Sequence, residues 1–428
     1  MDGLHLKNIK YGLFLKRRFL PIFLATFLGA FNDNMLRAGL TVLMAYSEVN
    51  HIDLPARPEV LVTIASALLM IPPILFSSIA GPLADKYEKS RLVVYTKIAE
   101  LGIMAGAFYG FSTHNIFLLM FLLFISGTHT CFYGPIKFSI LPDHLDNKEL
   151  LAANGFMAGA TYLATLFGLI TGGFLGGYPG NLMSYTMIGI ACIGFIASLF
   201  IPKSKIAHPE TQIHFNLWRG TIEIVEHACR DRTTKHAIIA LSWFLVIASV
   251  YMSQFANYAQ AVVHANNEVY ILFLTLFSIG IVVGSLLCDT LLKGEISLKL
   301  VPFAALGLSL FTYLMVFTTP APLHGELLNA RQFLAVPTHW LVLGCMLMVA
   351  VCGGIYIVPL YAMLQSHTPT QFRSRIMAAS NLNDALYMTS AALVSTILLW
   401  MHFGILDLFL ILATINICVV CYARRFIA

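Results

Sequence analysis

The sequence predicts an all-α membrane protein in which twelve transmembrane helices form two six-helix bundles, and three observations carry that prediction. The 428 residues are 58% hydrophobic and 11% charged, with a mean hydropathy of +0.79, values outside the range of water-soluble globules. Windows of about 20 apolar residues recur twelve times, and apolar strands of alternating pattern are absent, which excludes a barrel. The longest gap between windows, 202–235, leaves six on either side.

The spans in order are 19–46, 59–83, 92–111, 115–135, 151–176, 182–201, 236–258, 268–290, 299–317, 339–362, 376–400 and 405–423. They divide the chain into an N-terminal arm (1–18), a first bundle (19–201), a linker (202–235) and a second bundle (236–428). The first span is unusual because Asn32, Asp33, Asn34 and Arg37 interrupt it near its middle. An ionised side chain at a bilayer centre costs roughly 2.5 to 3.5 kcal/mol on insertion scales, so such groups face a protein interior or a water-filled cavity. At 100° per residue Asp33 and Arg37 fall about 40° apart on one helical face, with Asn34 beside them. That face is a binding-surface candidate with Asp33 and Arg37 as an ion pair. In the third span Lys97 and Glu100 lie one turn apart and read as a structural pair. The fifth span carries Gly155, Gly159, Gly168, Gly172, Gly173, Gly176 and Gly177, a small-residue surface for close helix contact. Asn154 stands at its start. The eleventh span contributes Asn381, Asn383 and Asp384, and an acidic group at that depth reads as functional. Cys418 and Cys421 in the last span are packing residues, and no external disulfide is expected.

Basic residues cluster in alternate loops. All of the 26 except Arg37, Arg57 and Arg331 fall on one side, which places both termini in the cytoplasm. The net charge of +5 reflects this rule and implies no nucleic-acid partner. The basic start before Phe19 looks like a signal peptide, but the span that follows is too long and lacks a small-residue cleavage site, so it stays. Within the linker Phe215, Trp218, Ile222, Val225 and Cys229 recur every three or four residues, which predicts an amphipathic helix lying on the membrane surface as a tether. A faint internal repeat pairs Phe31-Asn32-Asp33 with Phe255-Ala256-Asn257, making Gln254 and Asn257 candidates opposite Asp33.

Metal and nucleotide chemistry find no support. The histidines have no ligand spacing within a span, Walker and G-x-S-x-G patterns are missing, and no cofactor is implied. His402 and Asp407 have the H-x-x-x-x-D spacing of glycerolipid acyltransferases, but they sit in a short turn with no soluble domain around them. The match reads as chance and the chain as a non-enzyme.

Two sets of motifs carry resemblances. Gly81-Pro82-Leu83-Ala84-Asp85-Lys86-Tyr87-Glu88-Lys89-Ser90-Arg91 resembles the loop signature of the major facilitator superfamily, whose plan is two six-helix halves around a midplane site. That resemblance implies a gate of Gly81, Asp85, Lys86, Lys89 and Arg91, with the glycine allowing close approach and the carboxylate and guanidinium latching one state. Gly29-Ala30-Phe31-Asn32-Asp33-Asn34, Tyr133-Gly134-Pro135-Ile136-Lys137-Phe138-Ser139-Ile140-Leu141-Pro142 and Ala153-Asn154-Gly155 resemble the bacterial lysophospholipid transporter family. Leu241-Ser242-Trp243-Phe244, Ser253-Gln254-Phe255, Gly284-Ser285-Leu286-Leu287-Cys288 and Gly353 to Tyr361 are similar to the form fused to acyltransferase and acyl-carrier-protein synthetase domains. The resemblance implies a facilitator carrying lysophospholipids from the outer to the cytoplasmic leaflet of the bacterial inner membrane. It also implies that Asp33 and Lys137 line the route, and that acyltransferases are encoded elsewhere. The chain departs from the family pattern at Ala158, at Asp384 and around Val250, so its intramembrane charge pattern is its own. The alternative is a proton-coupled exporter of amphipathic drugs, siderophores or other small molecules, with Asp33 or Asp384 taking the proton. A scaffold or sensor has no supporting domain.

Overall fold

The computed structural model of the chain describes residues 12–13, 16–45, 58–176, 180–204, 210, 225–226, 228, 230–320 and 327–427. Among the described residues twelve helices of 18 or more residues follow one another: α1 (Leu20–Ala45), α2 (Pro58–Lys86), α3 (Lys89–Ser112), α4 (Ile116–Ser139), α5 (Asn147–Gly176), α6 (Leu182–Leu199), α7 (Arg232–Asn257), α8 (Asn267–Leu291), α9 (Val301–Thr318), α10 (Pro337–His367), α11 (Arg373–Trp400) and α12 (Ile405–Ile427). There is no strand among them, only one isolated bridge between Ala265 and Leu328. Each expected span falls on one of these helices. Most of the expected linker helix, 215–229, lies outside the described residues.

Among the described residues ten helical stretches are long and apolar enough to cross a membrane. The exceptions are α1, whose central polar cluster dilutes its apolar content, and α12, whose apolar stretch Ile405–Val420 is shorter. Several helices run further than their apolar windows indicated, three of them with a proline near the extended end. α2 continues to Lys86, α4 to Ser139 and α10 to His367. Pro82, Pro135 and Pro359 lie inside these helices, where neighbouring helices re-satisfy the backbone groups a proline frees. For α4 the extension moves Lys137 from an expected loop into the last turn of a spanning helix.

The helices belong to two compact units. The first comprises Met1–Ala153, Leu163–Asp231 and Gln365–Ala385, and the second Asn154–Tyr162, Arg232–Leu364 and Leu386–Ala428. In the first unit α2 lies along α4, α3 packs on α4 and α6, and α1 on α6 and α4. Met35, Leu36, Met104, Leu119, Leu123 and Met187 form its fully buried centre. The glycines of α5 admit α1, since a Cβ on Gly172 would stand 2.5 Å from the Met35 carbonyl. Gly168 and Gly176 meet α1 in the same way, whereas Gly173 faces open space and Gly177 lies outside the described residues.

In the second unit α9 packs against α12, and α7 against α8 and α12. Its core is aromatic, with Tyr251 stacked on Phe409 at 4.7 Å and Phe255 edge-on to Phe277 at 5.4 Å. One polar bridge crosses it. The Trp243 indole donates to Asn416 Oδ1 at 2.9 Å, and the Asn416 amide donates to the Ala305 carbonyl at 2.7 Å. A buried amide satisfied on both sides fixes the register of three apolar helices.

Candidate functional site

The central polar cluster of α1 radiates into four neighbouring helices. Asp33 points to α4, where the Ser126 and Thr130 hydroxyls donate to its two oxygens at 2.5 and 2.8 Å. The expected Asp33–Arg37 pair does not form, because the α4 hydroxyls occupy the carboxylate. Asn32 is fully buried on another face, its amide donating to Glu100 at 3.2 Å and to the Met187 carbonyl at 3.1 Å. Asn34 donates to the Ala30 carbonyl at 2.8 Å and to Thr165 on α5 at 3.3 Å, which makes it a helix-packing residue. Arg37 is half-buried one turn beyond Asp33.

Behind this cluster lies an ion pair entirely removed from solvent. Lys97 Nζ stands 2.6 Å from Glu100 Oε2, with both side chains at most 1% exposed. The same ammonium lies 5.3 Å from the centre of the Tyr133 ring, whose hydroxyl bonds Thr26 of α1 at 2.7 Å. A buried pair of this kind is sustained only when further groups satisfy the remaining donors and acceptors, and Asn32 does that for Glu100. The pair read as merely structural in sequence is therefore wired to the α1 cluster.

Lys137 sits one helical stripe further along α4. Its ammonium lies 4.9 Å from the Phe138 ring centre and within electrostatic reach of both Asp33 and Asp384. It makes no hydrogen bond or ion pair among the described residues. Asp384 is buried on α11, and Asn381 approaches α4 so closely that a Cβ on Gly134 would collide with its amide. Lys137, Asp384 and Asn381 thus share one region of the first unit. Asn154 is buried at the start of α5. In the second unit Asn257 donates to Gln254 at 3.0 Å at the end of α7, just before a π-helical turn, Tyr258–Val262.

The loop signature is split by the structure. Asp85 is fully buried and accepts from the backbone N–H groups of Ser374 and Arg375 at 3.0 and 3.2 Å, the first turn of α11. A carboxylate there satisfies orphan donors and meets the positive end of the helix dipole. Gly81 makes this approach possible, because a Cβ would stand 2.8 Å from the Arg375 Cα and 2.7 Å from the Ala378 Cβ. The guanidinium facing Asp85 is that of Arg375, at 3.6 Å. Lys89 is buried and donates to Asp143 at 2.7 Å, where Arg373 also arrives at 3.5 Å. Lys86 and Arg91 stay outside this contact, one over the Tyr87 ring and the other 3.5 Å from Glu88. Glu88 itself accepts from the Ser90 hydroxyl and from the Ser204 N–H. Burial pushes its carboxyl up, but these hydrogen bonds outweigh burial and hold it below the usual range.

Residues 22–391 match the sequence model of the Major Facilitator Superfamily. The chain belongs to the Major Facilitator Superfamily. It is similar to the lysophospholipid transporter LplT of Shigella boydii serotype 4, with 26% identity over 350 residues that cover 80% of this chain and 79% of the relative. LplT of Escherichia coli strain K12 / DH10B shows the same identity over 348 residues. Among solved structures, the human organic anion transporter MFSD10 (TETRAN) superposes with a TM-score of 0.73 at 12% identity, covering 94% of this chain and 98% of that one. The E. coli fucose:proton symporter FucP superposes at 0.67 with 13% identity, covering 96% and 98%. The fold and the relatives of this facilitator are those of transporters.

Sequence reading of this facilitator missed Ser126, His129, Thr130 and Tyr133. Together with Lys137 they form a polar stripe along α4 at spacings of three and four. That periodicity is present in the sequence, but Ser126, His129 and Thr130 carry no formal charge and stand singly in an apolar run. The acyltransferase-like pair has a local explanation, since Asp407 accepts from the Gly404 N–H at 2.8 Å and caps the start of α12.

Proposed function

We propose that this facilitator is a secondary transporter that moves lysophospholipids from the outer to the cytoplasmic leaflet of the bacterial inner membrane by alternating access. The observation that carries the reading is Lys137, an ammonium within a spanning helix that lacks any hydrogen bond or ion pair among the described residues. An ammonium so placed in the last turn of the helix can take a ligand's negative group as its partner. A phosphate supplies that group with charge-assisted hydrogen bonds. The carboxylates of Asp33 and Asp384 within its electrostatic reach suit the ammonium of an ethanolamine head group. The 26% likeness to LplT supports the same choice.

In this reading Arg37, Asn154, Gln254, Asn257 and Asn381 line the route, Asn32 braces α1 behind it, and both termini are cytoplasmic. Gly81 and Asp85 hold the first turn of α11 as the gate, and Lys89 supports it through Asp143. The two bundles, 19–201 and 236–428, are the rocking bodies, and separate acyltransferases consume the lipid delivered. Uptake of labelled lysophosphatidylethanolamine into spheroplasts lacking their own transporter tests it. The chain should raise uptake well above an empty vector, and no gain would refute the reading.

A further inference from the structure

Two helices of the second unit each carry an unused hydroxyl near their middle, Tyr162 on α5 and Ser278 on α8. Neither makes a hydrogen bond among the described residues. Ser278 is 3% exposed, and Tyr162 is half-buried with its hydroxyl end enclosed by protein. The two helices pack closely at this level. A Cβ on Gly155 would stand 2.8 Å from the Ser285 carbonyl oxygen, and one on Gly159 would stand 3.3 Å from the Val282 side chain. The antiparallel register set by these two contacts brings Tyr162 level with Ser278. At 100° per residue Tyr162 falls about 20° from Gly155, and about 80° to 140° from the exposed Ile170, Phe174 and Phe167. Its phenol is therefore on the α8 side of α5, away from the lipid-facing stripe.

Other hydroxyls of this unit are satisfied. Thr161 donates to the Met157 carbonyl at 2.8 Å, Thr275 to the Ile271 carbonyl at 2.7 Å and Ser249 to the Val246 carbonyl at 2.9 Å, while Tyr251 bonds Thr312 at 2.6 Å. A serine inside a helix has the same carbonyls in reach, and a buried tyrosine hydroxyl ordinarily finds a partner. A polar group left unbonded away from water carries its desolvation penalty uncompensated. The surroundings are also neutral, since α5 has no charged side chain between Glu149 and Gly176 and α8 has none between Glu268 and Asp289. Two open hydroxyls in neutral surroundings suit another hydroxyl, which can donate to one and accept from the other.

We propose that Tyr162 and Ser278 form a subsite for an alcohol, the free glycerol hydroxyl that a one-tailed phospholipid has and a two-tailed one lacks. The identity of that ligand rests on the lysophospholipid reading. A site built to bond a hydroxyl discriminates against the analogue without it, because the site's own polar groups are then left unpaired. Tyr162 and Ser278 are thus specificity-determining residues, selecting the lysolipid over its doubly acylated form.

Binding of 1-acyl lysophosphatidylethanolamine and of its 2-deoxy analogue, which has hydrogen in place of the hydroxyl, to the purified full-length protein tests this. The wild type should bind the lysolipid about tenfold more tightly than the analogue. Tyr162→Phe removes one oxygen and keeps the ring. It should lose most of that preference through weaker lysolipid binding, while the analogue binds as before. Equal binding of the two lipids by the wild type would overturn the proposal and leave the lysophospholipid reading standing. A Tyr162→Phe protein that keeps the full preference, or that weakens both lipids alike as a packing role would, also overturns it. Binding of neither lipid by the wild type would strike the reading and the proposal together. Ser278→Ala should shrink the preference in the same way, and it decides the matter if Tyr162→Phe fails to fold by size-exclusion chromatography.

Discussion

Replacing Asp85 with alanine removes the carboxylate that holds the first turn of α11. The side chain is fully buried and accepts two backbone N–H groups, from Ser374 at 3.0 Å and Arg375 at 3.2 Å. Hydrogen bonds to charged groups contribute about 1.5–3 kcal/mol each. The variant also recovers the cost of burying the charge, so the sum overstates the loss. Loss of a helix cap typically costs about 1 kcal/mol and up to about 2, and the nearby Arg375 guanidinium at 3.6 Å adds a further share. A net effect of about 2–3 kcal/mol on local opening follows, and at 1.36 kcal/mol per decade this is roughly a 30- to 150-fold rise in amide exchange. Hydrogen exchange read by mass spectrometry on peptides spanning 370–380, in lipid nanodiscs, measures it directly. A peptide from α9 serves as the control. Exchange in 373–377 that stays at the wild-type rate in a folded Asp85→Ala protein would refute the claim that this carboxylate secures α11.

Other perturbations separate the remaining parts. Gly81→Val should lower the melting temperature and abolish transport, since the obstacles around its Cβ include the Arg375 Cα and overpacking typically costs about 1–3 kcal/mol. Glu100→Gln leaves Lys97 buried without its counter-ion, and breaking a buried pair in this way costs about 3–5 kcal/mol. Melting in detergent should show the loss, and the double variant Lys97→Met/Glu100→Leu should recover much of it. Glu88 is the group with a defined pH sign. Its folded pKa is depressed, so its stabilisation of the α2–α3 turn is complete above the ordinary carboxylate range and is lost as pH falls through the folded value. Exchange protection around Ser204 should therefore drop on acidification in the wild type, and Glu88→Gln should show the lower protection already at neutral pH.

The helices were legible because the lipid phase demands long apolar windows, and that demand is local in sequence. Their ends were less so. Pro135 closed an apolar window that the backbone continues through to Ser139, which put Lys137 in an expected loop rather than in the last turn of a helix. Within the site, Asp33 announced itself as a charge in apolar surroundings, but its partners did not. Spacing along one helix points to Arg37 at i+4, whereas the carboxylate turns to hydroxyls about a hundred residues away on α4. Lys97 and Glu100 were visible as a pair, and their bond to Asn32 was not, because it joins two helices. The loop signature divided similarly. Gly81 and Asp85 could be read from spacing, while the role of the guanidinium passed from Arg91 to Arg375 on a distant helix. His129 has no metal-ligand spacing in the sequence, and its burial on α4 shows only in the fold.

The central claim is that Lys137 receives the phosphate of a lysophospholipid. Binding of lysophosphatidylethanolamine and of an uncharged monoacylglycerol to the purified wild type and to Lys137→Gln tests it most directly. Loss of one charge-assisted contact of about 1.5–3 kcal/mol predicts that Lys137→Gln weakens lysophospholipid binding by roughly 10- to 150-fold and leaves the monoacylglycerol unaffected. Equal affinity of the two proteins for the phospholipid would contradict the account.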